Sequence, residues 1–267
     1  MYHKETRERR VKKRIIPIII ILFWVVSVAT LIIYFKPFEK NELQEQEIYS
    51  EDLANEYLDI IQSLTPDELA DLNSQNLEEL ILSKLNYEDN KLYGNMKESW
   101  AQGKIDCIIE IPEIQFRQCV FTGTQKQITH DLGIWLAVTA QSGYKLGETR
   151  YCIYMHNPTN QSIQISKAQN NLEPNDYIVV TKGADVYLYR IVSLTGENRF
   201  EAAKKYVENE SIGPEKLYLF TCARDQWQGK SLMIDATLYQ KFHISNWQEN
   251  KVDILKEYYK TYGLTVK

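Results

Sequence analysis

Two residue types in this 267-residue chain can do covalent chemistry together: a cysteine and a histidine, each at the end of a strand-like run. Cys222 closes Leu217-Tyr-Leu-Phe-Thr-Cys222, and His156 closes Tyr151-Cys-Ile-Tyr-Met-His156. The first run predicts a buried strand with Leu217, Leu219 and Thr221 on one face and Tyr218, Phe220 and Cys222 on the other. A thiol attacks a carbonyl as its thiolate and needs a partner to move protons. Cys222 as nucleophile and His156 as general acid–base meet that need when the fold joins the two strand ends. His130 competes for the acid–base role, and His243 does so more weakly. His3 belongs to the N-terminal segment, on the far side of an apolar run. Cys107, Cys119 and Cys152 either form one disulfide outside a cell or stay as reduced apolar strand positions. No Cys-x-x-Cys or His-x-x-x-His spacing suggests a zinc site, and no phosphate loop or dinucleotide motif is present, so neither metal nor cofactor is expected.

The elements that must position this pair are short strands. From Lys104 onward the texture is β: residues 105–111, 115–121 and 150–156, then a hairpin of 177–181 and 186–194 around Lys182-Gly183, then 217–222 and 231–238. Residues 128–144 are ambiguous, 170–175 are turn-rich, and 200–207 are a short helix candidate in a long connection. Many short strands with turn signals predict a mainly β barrel or sandwich. Before it, Leu53, Tyr57, Ile60, Ile61 and Leu64 recur at helical spacing, and so do Leu77, Leu80, Ile81 and Leu85. Thr65-Pro-Asp-Glu68 has the pattern of a helix start: Thr as cap, Pro at the first position, Glu three residues on. These stripes are expected to pack on their own domain. After the strands, Ser245 or Asn246 is a candidate cap for a tail helix carrying Trp247, Ile254, Leu255, Tyr258 and Tyr262, with Gly263 as its stop.

The N-terminus reads differently. Residues 1–14 carry seven basic side chains against Glu5 and Glu8, a net charge of +5. Residues 15–35 follow without a charge, and Lys36 closes them. About 20 apolar residues let one helix cross a bilayer. Pro17 sits in the first turn, where a missing N–H costs little. The basic flank predicts a cytoplasmic N-terminus and an external C-terminal part. A cleaved signal peptide is the rival, and the length of the run and the lack of a small-x-small site favour an anchor. The whole chain carries −5, so the outer part without that +5 carries −10. An acidic outer part excludes nucleic acid and an anionic lipid face as expected partners.

Four motifs together resemble the sortases, the cysteine transpeptidases of Gram-positive cell surfaces. Tyr218-Leu-Phe-Thr-Cys222 is similar to their Thr-Leu-x-Thr-Cys signature, with Tyr218 in place of the first Thr. The run closing on Met155-His156 resembles their catalytic His strand. Ile109-Glu-Ile-Pro112 resembles the Ile-x-Ile-Pro of their first barrel strand, and Gly133-Ile-Trp135 a run that some carry before the His strand. The resemblance covers residues 104–238 in the family's order. It implies an eight-stranded barrel with the site at one end. It also implies an Arg on the strand after the Cys, holding the substrate carbonyl or its oxyanion. The strand starting near Lys230 has no Arg. Lys230 is the nearest cation at a suitable place, Ser231 is the other aligned position, and Arg224 lies two residues after Cys222. Arg199 is a remote candidate. Lys is a point charge and does not reproduce a guanidinium fork.

The resemblance therefore implies a membrane-anchored transpeptidase. Its implied partners are surface proteins with a Leu-Pro-x-Thr-Gly-like sorting motif and an amine on a cell-wall precursor or a pilin lysine. The alternatives are an inactive barrel kept as a surface scaffold, which the missing Arg motivates, and a thiol peptidase that hydrolyses. The expected organisation is a basic tail (1–14), a transmembrane helix (15–35), an extracellular stalk and helical appendage (36–103), the barrel (104–240) and a helical tail (241–267).

Overall fold

The computed structural model describes residues 46–47, 49–65, 67–68, 74–85, 91–123, 138–140, 146–155, 164–198, 201, 213–223 and 229–247. The chain divides into two units, Met1–Gln44 and Glu45–Lys267, and every described residue belongs to the second. The predicted span at 15–35 lies outside the described residues, as do His3, His130, Gly133, His156, Arg199, Arg224 and most of the expected tail helix. Among the described residues no helix is long and apolar enough to cross a membrane.

Among the described residues, eight strands close into a barrel in the order β1-β2-β3-β4-β7-β8-β6-β5. They are β1 (Ile105–Ile111), β2 (Phe116–Thr122), β3 (Val138–Ala140), β4 (Tyr151–Tyr154), β5 (Tyr177–Lys182), β6 (Asp185–Glu197), β7 (Lys216–Cys222) and β8 (Ser231–His243). Closure comes from β1, which pairs antiparallel with β2 on one side and with β5 on the other. Two of the contacts, β2 with β3 and β4 with β7, are parallel. The pairings gather the ends of β1, β4, β6 and β7 with the starts of β2, β3, β5 and β8 at one end of the barrel. Cys222 stands at that end.

The opposite end is tied by a polar cluster. Asp106 accepts from Lys182 Nζ at 2.6 Å and from the Tyr151 hydroxyl at 2.6 Å. The Cys107 sulfur is 3.5 Å from that same hydroxyl. Tyr151 is fully buried, so Asp106 satisfies a polar group that would otherwise be stranded, and three strands are held in register there.

The helices cover the barrel near β1, β2, β5 and β6. A helix at 49–62 buries Leu53, Ala54, Tyr57, Leu58 and Ile61 in one apolar cluster with Ile105, Ile108, Cys119, Phe121, Val179, Val186 and Leu188. The helices Ser74–Lys84 and Lys91–Ala101 add Ile81, Met96 and Trp100, and Trp100 stacks on Tyr57 at 4.6 Å. Both apolar stripes thus pack on their own domain. Thr65 and Glu68 exchange the two bonds of a capping box: Thr65 N–H donates to Glu68 Oε2 at 2.8 Å, and Glu68 N–H to Thr65 Oγ1 at 3.3 Å.

Three boundaries differ from the sequence expectation. Residues 46–47 and 49, which precede the apolar stripe that starts at Leu53, are helical, and Gln46 and Glu47 are buried. Polar contacts hold them there rather than apolar periodicity: Gln118 Nε2 donates to the Glu47 carbonyl at 3.1 Å. The last strand does not stop at Leu238 but runs to His243, where His243 pairs with Asp185, so residues 241–243 belong to the barrel. The following helical turn begins at Ile244, two residues earlier than a Ser245 cap allows. His243 Nδ1 instead accepts from the Ser245 N–H at 3.4 Å, and Trp247 packs on Phe242 with ring centroids 5.2 Å apart.

Candidate active site

Cys222 is exposed, whereas Cys107, Cys119 and Cys152 are buried, and all four are thiols rather than disulfides. Topology explains the contrast. Cys222 is the last residue of β7, so its neighbours along the strand end there. The other three lie inside β1, β2 and β4. Burial raises the Cys119 and Cys152 thiols to about 12 and pushes Cys107 up as well.

Alternation along β7 decides what Cys222 meets. Leu217, Leu219 and Thr221 are fully buried on one face. Tyr218, Phe220 and Cys222 share the other, where Tyr218 and Phe220 pack with Cys152 and Met233, and Tyr154 leans on the group. An aromatic floor therefore leads along β4, β7 and β8 to the exposed thiol.

Opposite Cys222 in β8 stands Ser231. The Ala223 N–H donates to the Lys230 carbonyl at 3.0 Å, which makes that pair hydrogen-bonded. In an antiparallel ladder the pairs alternate, so Cys222 and Ser231 form a non-hydrogen-bonded pair, the kind whose side chains approach most closely. One strand further, Ser231 is in register with Glu197 of β6. The Glu197 carboxylate accepts from Thr195 Oγ1 at 3.2 Å. The row across three strands is thus thiol, hydroxyl, carboxylate.

Lys230 stands one residue before β8 and is exposed. Strand alternation groups Lys230 with Leu232 and Ile234, and the face those two residues use is not the one Cys222 uses. Leu232 pairs with Thr221 and Ile234 with Leu219, on the buried side. Glu197 is the residue that sequence reasoning missed; nothing local in Thr195-Gly-Glu197 marks it, because its place depends on a register across two strands.

The histidine side of the site is described up to Met155. β4 runs parallel to β7 with Tyr151↔Leu217 through Tyr154↔Phe220. The Met155 N–H then donates to the Phe220 carbonyl at 3.1 Å. His243 is at the other end of the barrel, paired with Asp185, so the structure does not bring it to Cys222. Among the described residues no group of three or more His, Cys, Asp or Glu is arranged to hold a metal ion.

The chain is similar to solved sortase structures. Listeria monocytogenes sortase A shares 19% identity over 55% of this chain and 96% of that one, with a TM-score of 0.46. A Clostridium perfringens sortase D5 transpeptidase shares 13% over 72% of this chain and 99% of that one, with a TM-score of 0.46. Sortase C-3 of Streptococcus pneumoniae shares 16% over 75% and 97%, with a TM-score of 0.46. No protein-family model matches the chain. No curated protein matches it either.

Proposed function

We propose that the protein is a sortase-like cysteine transpeptidase acting on a sorting motif in surface proteins. The observation that carries this is Cys222: the exposed thiol among four, at the end of a strand whose aromatic face forms a floor leading up to it. The chemistry follows from those parts. The Cys222 thiolate attacks the carbonyl carbon before the scissile bond, and the carbonyl π pair moves to oxygen. Collapse breaks the C–N bond, the leaving amine takes a proton from His156, and a thioester remains on Cys222. An amine on a cell-wall precursor or a pilin lysine then attacks the thioester, gives up a proton to His156, and releases the thiolate. No metal or cofactor is needed for either half.

His156 and Cys222 each stand two residues beyond the last register pair, Tyr154↔Phe220, and the Met155–Phe220 bond carries β4 further in that direction. That supports His156 as the acid–base. The cation that would hold the oxyanion falls to Arg224, which follows Cys222 by two residues, or to Lys230, which must curl around from the other face. We further propose that residues 15–35 anchor the chain in the cell membrane with the barrel outside.

A panel of sorting peptides with amine acceptors, read by mass spectrometry, tests this. The wild type is expected to form a thioester mass on Cys222 and an amide product. Cys222→Ala is expected to lose both, and His156→Ala to lose about a hundredfold or more in rate. Transfer by Cys222→Ala overturns the proposal. Water in place of the amine as acceptor would mark a peptidase, seen as a free acid product. One observation favours a second reading, a binding or scaffold barrel: β8 and β6 offer Ser231 and Glu197 beside Cys222, not a guanidinium. No thioester on any peptide would favour that reading.

A further inference from the structure

We propose that the Ser231 hydroxyl is the group on β8 that hydrogen-bonds the Cys222 thiolate and the oxyanion formed at it, in the place where the resemblance implies an arginine. This rests on Cys222 being the nucleophile, and it adds the donor that β8 provides. Three observations carry it. Ser231 is in register with Cys222, so both side chains rise on one face of the sheet. The Ala223–Lys230 bond makes theirs the close, non-hydrogen-bonded type of pair, with Cα atoms about 4.5 Å apart. Because Ser231 turns its backbone away from β7, its pair with Glu197 on β6 is the wider type, about 5.5 Å. Along the sheet the Ser231 backbone thus stands closer to Cys222 than to Glu197. An O–H at that range rotates to donate to a thiolate, or to the oxyanion on the carbon that the sulfur attacks.

The charged groups around this pair are few among the described residues. Glu197 lies beyond Ser231 on the same face, and Lys230 is on the other face. Asp235 is four register pairs further down, bonded to Lys216 at 2.9 Å. A neutral hydroxyl between Cys222 and Glu197 in the row supplies a hydrogen-bond donor without adding charge.

Two measurements on the full chain test this, and they separate its failure from failure of the transpeptidase reading. The first is the pH profile of Cys222 alkylation by iodoacetamide, followed by peptide mass mapping, which needs no substrate. Ser231→Thr keeps the hydroxyl, and Ser231→Val has the same shape without it. The valine variant is expected to shift the alkylation midpoint upward by about half a pH unit or more, and the threonine variant to follow the wild type. The second is the rate on the peptide panel, where Ser231→Val is expected to lose about tenfold or more and Ser231→Thr to retain most activity. Should Ser231→Val unfold, Ser231→Ala against the wild type repeats the comparison in a smaller volume. Equal midpoints for all folded variants overturn the proposal, even if the enzyme is active. A shifted midpoint in a protein that turns over no peptide keeps the Ser231–Cys222 link and removes the transpeptidase reading.

Discussion

At the scale of single residues, the four thiols are sorted by solvent. Burial raises Cys107, Cys119 and Cys152 above the ordinary thiol range; for Cys152 the Arg150 side chain opposes this but does not outweigh it. The native protein at pH 8 is therefore expected to take one alkyl group, on Cys222, and the unfolded chain four. Stability follows the same groups. An acid raised in the folded state stays protonated there while the unfolded chain releases its proton, so the folded state loses ground as pH rises above the unfolded pKa. For these thiols that loss begins above about pH 8.5. Tyr93, Tyr151 and Tyr189, also raised by burial, extend it above about pH 10. Urea midpoints at pH 7 and pH 10 are expected to differ, with the lower one at pH 10. An unchanged midpoint, or native labelling of Cys152, would contradict this burial.

At the scale of elements, short runs rich in β-branched and aromatic residues and bounded by turn residues made most strands legible, as in residues 105–111, 177–182 and 217–222. The capping box at Thr65 was legible for the same local reason. What could not be read was register. Ser231 faces Cys222 through the register of β7 with β8, and Lys230 loses that place by a single residue. The end of β8 was hidden because its residues 239–241 are exposed and lack an apolar alternation, and the start of the 49–62 helix because polar bonds to β2 hold it. Those bonds join a large apolar contact. Ile61 is 1% exposed within it, so Ile61→Ala is expected to cost about 2–5 kcal/mol in chemical denaturation. Cys222 belongs to a separate face lined by Cys152, Tyr218, Phe220 and Met233, so its alkylation rate in the folded variant should stay at the wild-type value. A variant that folds normally but alters that rate would show the helix face and the thiol face to be coupled.

At the scale of the whole molecule, the proposal depends on which side of a membrane the barrel occupies. A transpeptidase for surface proteins must meet its substrate outside the cell, with its thiol reduced. The three buried cysteines are compatible with either side, since burial protects them from oxidants as well as from alkylation. The decision therefore falls on the N-terminus. Residues 1–14 carry +5 and residues 15–35 no charge, the pattern that leaves basic residues in the cytoplasm and sends the rest across. On insertion scales a Lys or Arg at the centre of a membrane helix costs about 2.5–3.5 kcal/mol, so the basic residues are expected to stay outside the apolar run, on its cytoplasmic side. Protoplasts of a bacterial host expressing the full chain, treated with protease, are expected to lose the barrel while keeping a short N-terminal fragment. Replacing the seven basic residues of 1–14 with Gln is expected to weaken or invert that result, because the charge asymmetry is what sets it. Signal-peptide cleavage would give a different picture, with the barrel in the medium and its new N-terminus after residue 35. A barrel protected from protease in intact protoplasts and cut only after lysis would place Cys222 in the cytoplasm. In that case no surface-protein substrate could reach it, whatever the chemistry of Cys222 and Ser231.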